Sequence, residues 1–203
     1  LASPSFLFRL EEQPEDVVPG QLYQLNESDL AARISFFIWG SGPDDELREM
    51  ANQGKLSDPD VLETQVVRML SNPRSRNLAT SFASQWLRLQ EAGKNEPEPY
   101  LYPDFTGQLK QDMIRETQLF FENLVREDRS LLEIVSADYT FVNERLADHY
   151  GIEGIIGNEF QRVTYEDETR RGLLGHGSVL MLTSMSNRTS PVLRGKWVME
   201  VIM

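Results

Sequence analysis

Two histidines stand out as side chains that could bind a metal ion, because a neutral imidazole nitrogen is a common ligand. His176 lies between Gly175 and Gly177, where the missing Cβ atoms let another backbone or a cofactor approach closely. His149 lies at the end of a predicted helix, where a cation also interacts favourably with the helix dipole. The sequence therefore makes His149 and His176 candidate cofactor contacts, with a purely structural role as the alternative for each.

One local basic cluster occurs in the chain, formed by Arg188, Arg194 and Lys196. Ser190-Pro191 beside it is typical of an N-cap followed by a first-turn proline. The free N–H groups and the dipole at such a helix start attract anions. The cluster is therefore predicted to bind a carboxylate, phosphate or sulfate. The alternative is a set of internal salt bridges that tie this segment to acidic helices.

Glu144 and Asp148 are four residues apart and share one face of a predicted helix, next to His149. The run lacks the H-E-x-x-H pattern of a helical zinc site. Ordinary charge pairing with Arg145 or Arg126 is therefore favoured over a catalytic carboxylate pair. The chain also has no cysteine, so these residues cannot form a disulfide, a thiolate metal site or a covalent c-type haem linkage.

The charge of the chain restricts its partners. There are 32 acidic and 20 basic side chains, a formal net charge of −12. Nucleic acid is excluded as a partner, because binding phosphates needs clustered Lys and Arg. A basic redox partner fits the acidic surface, and a contribution to solubility is the alternative. No apolar run approaches the roughly 20 residues of a membrane-spanning helix.

The elements that must position these residues are mostly helical. Apolar side chains recur at helical spacing from Asn26 onward, with Ser28, Asp58 and Asn143 as predicted N-caps. A long helix is predicted from about 106 to 126, and a short strand within 160–165. The predicted fold is mainly α, an irregular helical bundle with a short C-terminal segment that contains loops and a strand.

The domain organisation follows a change in composition after Gly151. Glycine, serine, threonine and methionine become frequent there, and both ends of the chain look cut. Residues 1–25 are predicted to be the end of a preceding domain, and residues 26–152 a helical domain. Residues 153–203 are predicted to be the truncated start of a following domain.

Several stretches carry a family resemblance. These are Thr140–Ile152, Arg171–Leu174 and Asn187–Glu200, and also Leu1–Arg9, Leu56–Pro59 and Phe82–Leu87. The most specific part is Arg188–Trp197. The stretches resemble large exported proteins, abundant in planctomycetes and their relatives, that are built from several domains of unknown function around c-type cytochrome modules.

The resemblance implies a periplasmic or otherwise exported protein with haem c attached in adjoining parts and haem-bearing domains as partners. It supplies no reaction and no catalytic residues. At most it suggests that a neighbouring haem is faced by His149, His176, Arg188, Arg194 and Lys196. The leading hypothesis is a haem-free helical scaffold that supports electron transfer. The alternatives are one wall of the active site of a haem-dependent oxidoreductase or peroxidase, and an acidic interaction subunit of a membrane-attached complex.

Overall fold

The computed structural model describes residues 17–18, 20–94, 96–166 and 168–203. Most of the predicted end of a preceding domain, residues 1–16 and 19, lies outside the described residues. The chain divides into two compact units, Leu1–Leu78 and Ala79–Met203. The domain boundaries expected from the sequence stay a prediction.

The first unit is helical. Asn26 caps its first helix by accepting a hydrogen bond from the backbone N–H of Asp29 over 2.8 Å. The predicted cap at Ser28 is wrong, because Ser28 already lies inside the helix. Asp58 caps the third helix, as predicted. The described helices are α1 (Glu27–Trp39), α2 (Asp45–Asn52), α3 (Pro59–Ser71) and a 3-10 turn (Pro73–Ser75).

Its core forms around one tryptophan. The indole N–H of Trp39 donates to the carbonyl of Met69 over 2.9 Å, and the guanidinium of Arg74 lies 3.6 Å from the ring centroid. Leu47 and Leu56 are fully buried in the same unit. The amphipathic pattern of the sequence is sufficient to explain this part of the fold.

The second unit is an irregular set of helices. The segment from Leu78 to Gly93 is not one continuous helix, since Arg88 adopts a left-handed φ of 57° that an α-helix cannot contain. The elements are a π-helix (Leu78–Ala83), α4 (Ser84–Trp86), a 3-10 helix (Leu89–Gly93), α5 (Gly107–Arg126), α6 (Glu133–Ser136), α7 (Glu144–Tyr150), a 3-10 turn (Leu173–Gly175), α8 (Gly177–Leu182), α9 (Pro191–Trp197) and a π-helix (Val198–Ile202).

Two short antiparallel ladders complete the second unit. Strand β1 (Tyr139–Val142) pairs with β2 (Gln161–Thr164), with Tyr139 opposite Thr164. Strands β3 (Ser184–Met185) and β4 (Arg188–Thr189) form a hairpin. The predicted strand within 160–165 is confirmed, whereas β1, β3 and β4 were not predicted.

Helix α5 is the centre of this unit and contacts β1, α7 and α8. Phe120 is fully buried on its inner face, with its ring centroid 5.5 Å from that of Tyr139. Glu116 and Thr117, one turn earlier, are also fully buried. The mainly helical fold class is confirmed. Across the described residues, no helix is both long enough and apolar enough to cross a membrane.

Candidate functional site

A cavity of about 640 Å³ lies within the second unit. It is referred to below as the arginine cavity, because Arg170, Arg188 and Arg194 line it. Its other walls come from the loop 97–105, from α5, α7 and α8, and from the β3–β4 hairpin. A backbone hydrogen bond from the N–H of Glu98 to the carbonyl of Ser186, over 2.8 Å, joins that loop to the hairpin.

The three arginines of the cavity differ from most other described arginines in their ion pairs. Within the part of the chain that the structure describes, Arg170, Arg188 and Arg194 have no carboxylate oxygen within 4.0 Å, whereas ten other arginines each have one. Asp104 also lines the cavity but forms no ion pair with any of the three. In an acidic chain, cations left unpaired along one cavity are available to an external anion.

The remaining surface of the cavity is largely apolar. Tyr102, Phe105, Met113, Met181 and Met185 contribute to it. Methionine and aromatic side chains adapt well to flat apolar groups. The cavity therefore suits a ligand with an apolar body and at least one carboxylate.

Three of the five residues predicted from the sequence meet at this cavity: His149, Arg188 and Arg194. Lys196 does not line it and instead lies 3.6 Å from the carboxylate of Glu200. This pair lies within one helical segment, so it is not the predicted alternative of salt bridges to other acidic helices, and Arg188 and Arg194 have no salt bridge among the described residues. The hydroxyl of Ser190 accepts from the N–H of Leu193, which satisfies one N–H group at the start of α9.

His176 does not line the cavity, although its neighbour Gly177 does, and it is fully buried. Its Nδ1 is 2.9 Å from the hydroxyl of Thr117, which is 2.7 Å from the hydroxyl of Ser178. Its ring packs edge-on against Phe120, with centroids 5.0 Å apart. Burial, helped by the charge of Arg170, lowers the pKa of His176 to about 3. The imidazole is therefore neutral at ordinary pH, and its Nε2 has no hydrogen-bond partner among the described residues.

The glycine after His176 makes room for a tyrosine. A Cβ atom on Gly177 would lie 2.7 Å from the hydroxyl of Tyr150 and 2.8 Å from the side chain of Met113. The N–H of Gly177 donates to that hydroxyl over 2.7 Å. The group that approaches this glycine closely is thus the hydroxyl of Tyr150. A contact between His176 and a cofactor stays a prediction.

Sequence reasoning missed the buried pair of Glu116 and Tyr150. The hydroxyl of Tyr150 donates to one oxygen of Glu116 over 2.6 Å, and the hydroxyl of Thr140 donates to the other over 2.6 Å. Burial is the main cause that raises the pKa of Glu116 to about 7. Its signal in the sequence was its position seven residues after Leu109, on the stripe that also carries Met113 and Phe120.

Arg170 connects the cavity with this pair. Its guanidinium carbon lies 4.0 Å from the ring centroid of Tyr150, and its Nη1 donates to the carbonyl of Gly175 over 2.7 Å. Its positive charge acts to lower the pKa of Glu116. Burial first, and then Arg170, lowers the pKa of His149 as well.

The predicted pairing of the α7 carboxylates is wrong. Arg145 pairs with Asp112 over 2.8 Å, and Arg126 pairs with Glu122. Glu144 accepts from the backbone N–H of Gly157 over 2.7 Å instead. Through the described ranges, no group of three or more His, Cys, Asp or Glu side chains is arranged to hold a metal ion.

A family model described as PSD4, protein of unknown function (DUF1592), matches residues 25–152, more than half of the chain. The chain belongs to the DUF1592 family. A second family model, PSCyt3, protein of unknown function (DUF1588), matches residues 170–203. No curated protein and no solved structure matches the chain. Among the residues that line the arginine cavity, Phe105 and His149 lie in the segment matched by DUF1592. All three arginines lie in the segment matched by DUF1588.

Proposed function

We propose that this DUF1592-family chain is a haem-free helical scaffold of a larger, exported, c-type cytochrome-like protein, and that the arginine cavity faces a haem-bearing module. The observation that carries the proposal is that three arginines, none of which has a carboxylate within 4.0 Å among the described residues, line one largely apolar cavity with His149. The sequence resemblance to cytochrome-associated proteins and the name of the second matched family, PSCyt3, support the haem context.

The residues of the cavity fit the carboxylate edge of a haem. A guanidinium can donate two parallel hydrogen bonds to one carboxylate, and Arg188 and Arg194 are placed to hold such groups. The methionine and aromatic side chains fit the apolar part of the ring. His149 lines the cavity, whereas the buried, Thr117-bonded His176 offers no exposed nitrogen.

A haem bound there would supply electron transfer. The chain's own residues would bind its carboxylates, exclude water from one edge of the ring and place positive charge beside it. Burial and charge around a haem set its reduction potential. Since a nearby cation favours the form with one more electron, the arginines should raise that potential.

The test uses the full natural protein. Its optical spectrum should contain a Soret band, and R188Q and R194Q should each lower the haem midpoint potential in a spectroelectrochemical titration. K196Q is the matched control, because it removes one charge of the same cluster outside the cavity. A full protein without a Soret band, or an equal shift in K196Q, would contradict the proposal.

A second candidate function is one wall of the active site of a haem-dependent oxidoreductase. The Glu116–Tyr150 pair favours it, because a carboxyl with a pKa of about 7 suits proton transfer near neutral pH. In that case E116Q and Y150F should abolish turnover of an organic substrate in the full protein while the fold is retained. Unchanged turnover in both variants would count against this candidate.

A further inference from the structure

We infer that Glu116 and Tyr150 form a proton-binding site linked to the arginine cavity. When a carboxylate binds at Arg170, the protein takes up a proton at Glu116. The inference rests on the proposed function, since it requires an anion to enter the cavity. It goes further because it assigns a proton site and makes the ligand's affinity depend on pH.

The side chain of Tyr150 lies between the cavity and Glu116. Tyr150 and Gly177 both line the cavity. The hydroxyl of Tyr150 accepts from the N–H of Gly177 over 2.7 Å and donates to Glu116 over 2.6 Å. Glu116 itself is fully buried. A change of charge in the cavity therefore acts on the carboxyl of Glu116 across a single side chain, the ring of Tyr150.

The ionised form of Glu116 depends on a small set of groups. Thr140 on β1 and Tyr150 on α7 donate hydrogen bonds to it. Tyr165 after β2 also lies close to it, because burial first, and then the charge of Glu116, raises the pKa of Tyr165. The charge of Arg170 stabilises the carboxylate from the cavity side. Both histidines have lowered pKa values and stay neutral near pH 7. Arg170 is thus the cationic support of the buried carboxylate.

An anion at Arg170 offsets this support. A second negative charge beside the guanidinium makes the ionised form of Glu116 less favourable, so the pKa of Glu116 rises above its starting value of about 7. Binding therefore takes up a proton between the free and the bound pKa. The affinity must increase as the pH falls through this window, by at most about tenfold per pH unit for one linked proton.

The first experiment needs no ligand. The pKa of the Glu116 side chain is measured by 13C NMR of its carboxyl carbon in the 203-residue chain, in R170Q and in R170K, with the signal assigned by E116Q. R170Q mimics a neutralised Arg170 and should raise the pKa of Glu116, whereas R170K keeps the charge and should leave it close to the original value. An unchanged pKa in folded R170Q would overturn the inference.

The second experiment uses 2-naphthoate as the probe, because it joins a flat apolar body to a single carboxylate. Calorimetric titration at pH 7 in two buffers of different ionisation enthalpy reports the protons taken up on binding. Uptake is expected in the original chain and should be lost in E116Q. The amide, 2-naphthamide, should bind weakly and without proton uptake.

The outcomes separate this inference from the proposed function. Binding of 2-naphthoate without proton uptake, or uptake that persists in E116Q, overturns the proton link and leaves the anion site. Failure of 2-naphthoate to bind counts against the anion site of the proposed function. Because proton uptake requires an anion in the cavity, it also counts against the inference. If E116Q does not fold, the same shift is sought in the original chain as a rise in the pKa of Glu116 on adding 2-naphthoate.

Discussion

At the scale of single residues, Arg188 and Arg194 differ from the other arginines in what they could contribute to stability. Their side-chain contacts among the described residues are weak: Nε of Arg188 is 3.4 Å from the sulfur of Met185, and Nε of Arg194 is 3.4 Å from the hydroxyl of Thr183. Arg145, in contrast, donates over 2.8 Å to Asp112, which is buried. Removing Arg188 or Arg194 therefore breaks no strong contact within the described part of the chain.

This contrast predicts different effects on folding. R188Q and R194Q should change the free energy of unfolding by less than about 0.5 kcal/mol, as surface substitutions usually do. R145Q should lower it by about 1–3 kcal/mol, because it leaves the buried carboxylate of Asp112 without its partner. Urea unfolding of the three variants is the measurement. A large loss in R188Q or R194Q would show that these arginines serve the fold.

Glu116 predicts a pH-dependent stability. Its pKa is about 7 in the folded chain and 4.5 ordinarily, so the folded state holds the proton more tightly. The resulting stabilisation is fully present below pH 4.5 and is lost as the pH rises towards 7, by about 3 kcal/mol at most. His176 has the opposite shift, with a pKa lowered from 6.5 to about 3, and its stabilisation is lost as the pH falls between these values.

The two effects oppose each other between pH 4.5 and 6.5, so the difference between the original chain and E116Q is the informative quantity. The stability advantage of the original chain over E116Q should shrink by about 3 kcal/mol from pH 4.5 to pH 7. Denaturant unfolding at four pH values in this range measures it. A difference that stays constant with pH would mean that Glu116 has an ordinary pKa.

The residue types in the sequence were enough to single out Arg188 and Arg194, because two arginines stand out near a predicted helix start in an acidic chain. The sequence could not show that His149 lies on the same cavity, since that depends on how α7 packs. Arg170 and Glu116 were missed for a related reason. Their roles come from one shared neighbour, Tyr150, that is far from each of them in sequence.

At the scale of elements, the approach of α8 to α7 depends on a residue without a side chain. Gly177 begins α8, and its N–H reaches the hydroxyl of Tyr150 at the end of α7. Local signals predicted α7 well, because Asn143 caps it and Gly151, with a φ of 71°, ends it. The β1–β2 pairing was not predicted: the sequence indicated only β2, since a four-residue strand such as β1 carries little pattern of its own.

G177A should therefore destabilise the chain. The added methyl group would overlap Tyr150 and Met113, and overpacking of this kind costs about 1–3 kcal/mol. The matched control is G195A in α9, where an added Cβ meets nothing within 4 Å and alanine should stabilise the helix by roughly 0.5–1 kcal/mol. Thermal unfolding of both variants gives the comparison. A neutral G177A would show that Tyr150 can move away from α8.

At the scale of the whole molecule, each compact unit has its own buried core. In the second unit the last elements close onto the first: the indole N–H of Trp86 donates to the carbonyl of Val201 over 2.8 Å, and that of Trp197 donates to the carbonyl of Leu87. These contacts join residues more than 100 positions apart in the sequence. Helical periodicity predicted the fold class, but contacts of this range cannot be inferred from local patterns.

Residues 76–203 should therefore fold without the first unit, because this range keeps the π-helix Leu78–Ala83 intact together with α5 and both ends of the Trp86 and Trp197 contacts. We expect a cooperative urea transition and binding of 2-naphthoate like that of the 203-residue chain. A shorter piece, residues 76–190, is the control. It lacks α9 and Val201 and should unfold at clearly lower urea, since Trp86 loses its acceptor and the buried Trp197 is removed. No cooperative transition for 76–203 would show that residues 79–203 do not fold independently, and equal transitions for the two pieces would show that the Trp86 and Trp197 contacts add nothing to its stability.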